Sequence, residues 1–316
     1  MERAAALRPV GILPTVTLFG AATAAGFNWL PLRFIAHQGL GSAWAGLFTT
    51  LVSVVFLLPL LSWRGSWDRA AISSVLFSGL VNGGALALYC ASMLLTDVVR
   101  TLLLFYVAPM WGALLGRIVL GERLSPARLT AIGACVAGML VILGDRHGWP
   151  WPHNIGDWLA LLSGVVFAYG SLRVYEAPDV SAAAQTTSTM LGCALVSGLV
   201  LLLLPAELAG SPPALSTGLL LSVGAYALAM IIPINWLWLW SAKYLPPARV
   251  SLIFSLEAVV GIASAALLID EPFGWREILG SLLVIGSTVI DVAGHRGPAP
   301  APSRPRPLDG GGQGWG

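Results

Sequence analysis

Apolar residues fall into ten long runs separated by short polar breaks, at roughly 11–35, 43–62, 70–93, 97–118, 126–144, 157–175, 183–204, 216–241, 248–269 and 275–294. Each run approaches the roughly 20 residues a helix needs to cross a hydrocarbon core about 30 Å thick. The longest break runs from Asp145 to Asp157 and is rich in Trp, Pro and His. No break could build a soluble domain. The predicted fold is all-α: a membrane protein of ten transmembrane helices, read as five and then five again. The first run is too long for the apolar core of a signal peptide and lacks a convincing cleavage site, so it reads as a retained span. From Gly297 the tail is mostly Pro, Gly and Arg, a composition that predicts disorder.

Composition agrees with the pattern. Hydrophobic residues make up 57% of the chain and charged residues 10%, with a mean hydropathy of +0.81. A soluble domain carries about 25% charged residues. With the N-terminus inside, ten crossings leave Arg33, Arg100, Arg146 and Arg276 at outer ends and the other 13 of the 17 basic residues at inner ones. The positive-inside rule then places both termini in the cytoplasm. A net charge of +2, without a basic patch, argues against a nucleic-acid partner. Cys90, Cys135 and Cys193 all lie inside spans without metal-ligand spacing, and read as buried small hydrophobes with no disulfide. His37, His147, His153 and His295 sit at span ends or in loops, away from any carboxylate or Cys cluster. No metal site is expected.

The second half repeats the first at an offset of 149 residues. Arg100 falls on Arg249, Leu103 on Leu252, Phe105 on Phe254, Gly112 on Gly261 and Glu122 on Glu271. An odd number of spans per repeat inverts the second copy in the membrane. Inverted repeats are a common transporter architecture, with the cargo site near the midplane between them.

Four motifs carry a family resemblance. Gly121-Glu122-Arg123-Leu124-Ser125, followed by the run from Ala131 to Leu140, closes the first repeat. Asp270-Glu271-Pro272, with Gly280 nine residues after Glu271, closes the second. Gly26-Phe27-Asn28 precedes Arg33 by five residues, and Ser255-Leu256-Glu257-Ala258-Val259 lies in the ninth span. Together these resemble EamA-type proteins of the drug/metabolite transporter superfamily, and within them the YddG-type amino-acid exporters. Ala258 stands where that family usually has Pro, whereas the first repeat keeps one in Val107-Ala108-Pro109. The resemblance implies two inverted five-helix repeats over 1–146 and 147–296, a disordered cytoplasmic tail over 297–316, and no cofactor. It also implies export of small metabolites across the bacterial inner membrane by alternating access.

Few polar groups lie at depth, and each has two readings. A charge at the bilayer centre costs about 2.5–3.5 kcal/mol on insertion scales, so Glu257 must face a cavity or a partner. It could hold a substrate ammonium, take up a proton, or accept structural hydrogen bonds from neighbouring spans. Asn28 and Asn235 could hold both ends of a zwitterion or clamp two helices. Asn82, followed by Gly83-Gly84, reads as close packing or a break in the third span. Arg100 and Arg249 occupy equivalent positions at opposite faces. They are gate candidates, or Arg100 pairs with Asp97 and both snorkel to headgroups.

Of the 13 Trp, those at span ends suit interfacial belts, whereas Trp111, Trp236, Trp238 and Trp240 lie further in. On a helix Trp236 and Trp240 share a face and Trp238 points away. Tyr89, Tyr106 and Tyr169 also lie within spans. The candidate cargo-binding set is therefore Asn28, Tyr89, Tyr106, Trp111, Asn235, Trp236 and Glu257. Gly112 with Gly116, and Gly133 with Ala137, are small-residue pairs suited to close helix packing.

An aromatic, sparsely charged cavity points to export of neutral amino acids with large side chains. Other small molecules or drugs are the alternative cargo. No Gly-x-Ser-x-Gly, His-Glu-x-x-His or Asp-rich motif supports an intramembrane enzyme. A phosphorylated cargo would call for Lys or Arg at depth, and Lys243 lies near a helix end. A receptor role remains a different class of reading. The expected partners are a small-molecule cargo and the lipid bilayer.

Overall fold

The computed structural model describes residues 12–61, 69–119, 125–143, 152–176, 181–209, 212–242, 244–245, 250, 253–268 and 274–294. The described residues form helices and no strands. The motifs around Glu122 and Glu271, together with Arg249 and Lys243, lie outside them.

Ten helical columns follow the ten apolar runs, but several are broken. Span 1 is Ile12–Gly26 and Trp29–His37, span 2 Ser42–Leu61, and span 3 Arg69–Leu95. Span 4 is Val98–Phe105 and Ala108–Val119, span 5 Pro126–Leu143, and span 6 Ile155–Glu176. Span 7 is Ala182–Leu203, and a short helix, Ala206–Ala209, follows it. Span 8 is Thr217–Tyr226 and Ile232–Ala242 joined by a π-helical stretch, Ala227–Ile231. Span 9 is Leu256–Leu268 and span 10 Trp275–Gly294. Only three described stretches are long and apolar enough on their own to cross a membrane: Ile72–Leu95, Ala182–Leu203 and Thr217–Ser241. The other columns are shortened by breaks or run into undescribed residues.

One pair of breaks obeys the repeat. Span 4 interrupts at Tyr106-Val107, and span 9 has a turn at Ser255, which is Tyr106 plus the offset of 149. Span 1 breaks at Phe27-Asn28, where Phe27 and Asn28 donate backbone hydrogen bonds to the carbonyls three residues earlier, tightening the turn. Its equivalent, span 6, is continuous.

Contacts between the halves also survive exchange of the repeats. Span 3 packs on span 6 as span 8 packs on span 1, and span 4 meets span 6 as span 9 meets span 1. Span 3 lies on span 7 as span 8 lies on span 2. The pairs 2 with 7, 4 with 9 and 5 with 10 map onto themselves. This is the contact pattern of an internal two-fold.

Close approach occurs away from the expected small-residue pairs. A Cβ at Gly112 or Gly133 would meet nothing within 4 Å. At Gly26, by contrast, it would lie 2.9 Å from the Glu257 carbonyl and 2.6 Å from Val260 Cβ, so this glycine lets span 1 touch span 9 beside Glu257. At Gly83 it would collide with the backbone of Thr189, Gly192 and Cys193 on span 7.

The main core runs through Trp29, Leu32, Met93, Leu102, Leu103 and Met190, all at most 2% exposed. Trp29 also donates to Ser264 Oγ at 3.0 Å, tying span 1 to span 9. Outward faces are apolar, as at Leu202, Leu203 and Leu267. Cys90, Cys135 and Cys193 are buried free thiols.

Candidate functional site

The breaks in spans 4 and 9 meet around one carboxylate. Glu257 lies in the first turn of the Leu256–Leu268 helix and is 4% exposed. Tyr89 of span 3 donates to its Oε1 at 2.9 Å, and Tyr106 lies 3.1 Å from its Oε2. Tyr106 Oη is also 2.8 Å from the Phe254 carbonyl, an acceptor left without a helical partner by the interruption at Ser255. Tyr89 and Tyr106 together hold this side chain in place, Tyr106 sharing its single hydroxyl proton between Glu257 Oε2 and the Phe254 carbonyl.

Glu257 borders a cavity between spans 1, 3, 4, 6, 7, 8 and 9. Tyr89, Phe105, Phe167, Trp238 and Phe254 form a continuous aromatic wall around it. Successive ring centroids along that wall are 4.6, 5.3, 5.8 and 5.7 Å apart, within the range of favourable aromatic pairs. The polar lining is Asn28, Asn82, Thr189, Asn235 and Glu257. Among the described lining residues Glu257 is the one acidic side chain, and no basic side chain accompanies it. The cavity measures about 80 Å³, room for a few waters. Ligand pockets usually offer about 300–1,000 Å³, so a metabolite fits only if the surrounding spans move apart.

The sequence candidates distribute unevenly. Asn28, Tyr89, Asn235 and Glu257 line the cavity, and Tyr106 reaches it through Glu257. Asn28 accepts a hydrogen bond from buried Tyr226 at 2.8 Å, and Asn235 donates to the Ile231 carbonyl at 2.9 Å, so both also brace helices. Trp236 packs against the main core, and Trp238 takes the cavity wall instead. Trp111 packs with Val107, Met110 and Cys135, away from the cavity. Its indole N–H has no hydrogen-bond partner among the described residues.

Asn82, read from sequence as a mark of close packing or of a break in span 3, lies on the cavity lining. Its Nδ2 donates to the Ser78 carbonyl at 2.8 Å. Phe105 and Phe254, matched by the repeat, and Phe167 join the wall although the sequence marks none of them as site residues, because their aromatic character is common to lipid-facing positions.

Arg100 is bound by Asp157 at the start of span 6, with Nε 2.8 Å from both carboxylate oxygens. Thr96 Oγ1 and the His153 N–H complete the shell of Asp157, which is fully buried. The pair of Arg100 and Asp157 links spans 4 and 6. The repeat partner, Arg249, lies outside the described residues.

The profile of the EamA-like transporter family matches residues 13–144 and again 154–292. The chain belongs to the EamA-like transporter family. It is thus a multi-pass membrane transporter built from two EamA repeats. A probable amino-acid metabolite efflux pump of Escherichia coli (strain K12) is 26% identical over 190 residues, covering 58% of this chain and 63% of that protein. A riboflavin transporter of Rhizobium johnstonii is 28% identical over 137 residues, 43% of this chain and 42% of its own length. The chain therefore spans less than two-thirds of the length of these curated relatives. A solved crystal structure at 15% identity matches 87% of this chain and 96% of its own with a TM-score of 0.56, a likeness of fold.

Proposed function

We propose that this transporter exports small metabolites, and neutral amino acids with aromatic or large aliphatic side chains above all, by alternating access around the Glu257 cavity. The observation that carries this reading is one buried carboxylate at the meeting of two repeat-related helix breaks, facing an aromatic wall. In this reading Glu257 receives the cargo ammonium, and Asn28 and Asn235 supply amide groups for the remaining polar atoms. Tyr89 and Tyr106 hold the carboxylate in place. The name of the Escherichia coli relative points the same way. The riboflavin transporter favours a second cargo, a flat heteroaromatic, for which the same wall is suited.

The repeats are assigned to 1–146 and 147–296 and inverted relative to each other, because each holds five spans. The basic-residue asymmetry supports cytoplasmic termini, and the setting is a bacterial inner membrane. Arg100, clasped by Asp157, closes the outer side, and Arg249 does so on the inner side.

The test is a competition panel. Proteoliposomes loaded with labelled Phe should lose label, with Leu and Met competing broadly. One methylene in an apolar pocket is worth only about 1–3 kcal/mol, so discrimination among such side chains is weak. Acidic amino acids and sugar phosphates should not compete. Efflux confined to a phosphorylated or strongly charged compound overturns the amino-acid reading.

A further inference from the structure

The cavity has an imbalance that amino acids alone do not satisfy. Its described lining holds one carboxylate, Glu257, and no Lys, Arg or His. The aromatic wall of Tyr89, Phe105, Phe167, Trp238 and Phe254 adds negative ring faces, which attract cations. An amide can hydrogen-bond a carboxylate but brings no opposite charge, and a buried charge without a counter-charge is costly.

We infer that this site prefers arylalkyl monoamines, cargoes with an ammonium and an apolar aromatic body but no carboxylate, over the corresponding amino acids. The inference rests on reading the cavity as the cargo site. With Glu257 ionised, a bound monoamine leaves the site neutral. A bound zwitterion leaves one net negative charge, and a bound carboxylic acid leaves two. The ammonium docks at Glu257, and the ring lies against the aromatic wall. The α-carboxylate of an amino acid is the group this cavity serves least, because its polar contacts there are the amides of Asn28, Asn82 and Asn235 and the hydroxyl of Thr189.

A matched trio of probes isolates that group: 2-phenylethylamine, phenylalanine and 3-phenylpropionate. Binding of each to the purified full-length protein is measured by calorimetry. The amine should bind at least ten-fold more tightly than phenylalanine, and phenylpropionate should bind least. In Glu257→Gln the advantage of the amine should shrink to within three-fold. Phenylalanine binding as tightly as the amine in the wild type overturns the inference, and so does an advantage that persists in Glu257→Gln. Cavity-filling Ile234→Trp separates the two levels. If it blocks phenylalanine efflux while the amine shows no advantage, the inference falls and the cargo-site reading stands. If it folds and leaves efflux and all three affinities unchanged, the cargo-site reading falls as well. The wild-type ranking decides the inference even if this variant does not fold.

Discussion

Tyr106 joins the two repeat-related breaks to each other, with its hydroxyl 3.1 Å from Glu257 Oε2 and 2.8 Å from the carbonyl of Phe254. Tyr106 sits at the interruption of span 4, and its repeat equivalent, Ser255, sits at the interruption of span 9. Each break frees backbone groups that a continuous helix would satisfy internally. One tyrosine hydroxyl lies within reach of a freed carbonyl and of the carboxylate, with a single proton shared between them. Helix irregularity and the proposed cargo site therefore coincide at a single point.

Tyr106→Phe removes the hydroxyl that donates to the Phe254 carbonyl. Leaving a buried acceptor unsatisfied costs about 1–3 kcal/mol. Thermal unfolding in detergent should show that loss. Tyr89→Phe should cost less, because Glu257 Oε1 loses one donor without an orphaned backbone group. Equal stability of Tyr106→Phe and wild type would mean that the Tyr106 bonds do not hold the break.

Gly26→Ala drives a methyl into Val260 and the Glu257 carbonyl. Overpacking of this kind costs about 1–3 kcal/mol. Gly133→Ala, where a Cβ meets open space, should be neutral or gain up to about 1 kcal/mol from helix propensity. Comparing the unfolding temperatures of the two variants tests the contact of span 1 with span 9. A Gly26→Ala protein as stable as Gly133→Ala contradicts it.

Arg100→Ala strands a fully buried Asp157 carboxylate. Removing one partner of a buried pair costs about 3–5 kcal/mol. The loss should fall at the low end, since Arg100 is 19% exposed and Thr96 and His153 still donate to Asp157. Arg100→Lys should not restore full stability, because a point charge cannot reproduce a guanidinium donor shared by both oxygens. A double-mutant cycle with Asp157→Asn that returns no coupling would remove the link between spans 4 and 6.

Reporter fusions after Arg296 and in the Asp145–Asp157 segment should give opposite sidedness, the first cytoplasmic. The same sidedness at both sites would break the five-plus-five count.

The apolar runs already located the helical columns, and the 149-residue offset already matched Phe105 to Phe254, which both line the cavity. Glu257 was legible because a lone charge in an apolar run has few reasons to be there. The breaks at Phe27-Asn28 and Tyr106-Val107 carry a signal that hydropathy alone passes over: Pro31 and Pro109 cannot donate to the carbonyls of Phe27 and Phe105 four residues earlier, and a proline inside an apolar run interrupts the helix one turn before it. Trp236 and Trp238 could be separated by face, but hydropathy does not say which face looks inward, and Trp238 lines the cavity. Asp157 was hidden for a related reason. Its distance from Arg100 in sequence makes the pair a product of tertiary packing alone.

The most direct test of the account is efflux of labelled Phe from proteoliposomes holding equal amounts of folded wild-type or Glu257→Gln protein. Gln keeps the size, its amide oxygen accepts from Tyr89 and its amide nitrogen donates to the Tyr106 hydroxyl, but it carries no charge for an ammonium. Efflux at least ten-fold slower in the variant, with an unchanged size-exclusion profile, is the predicted result. Wild-type efflux from the folded variant would contradict it and take Glu257 out of the transport site.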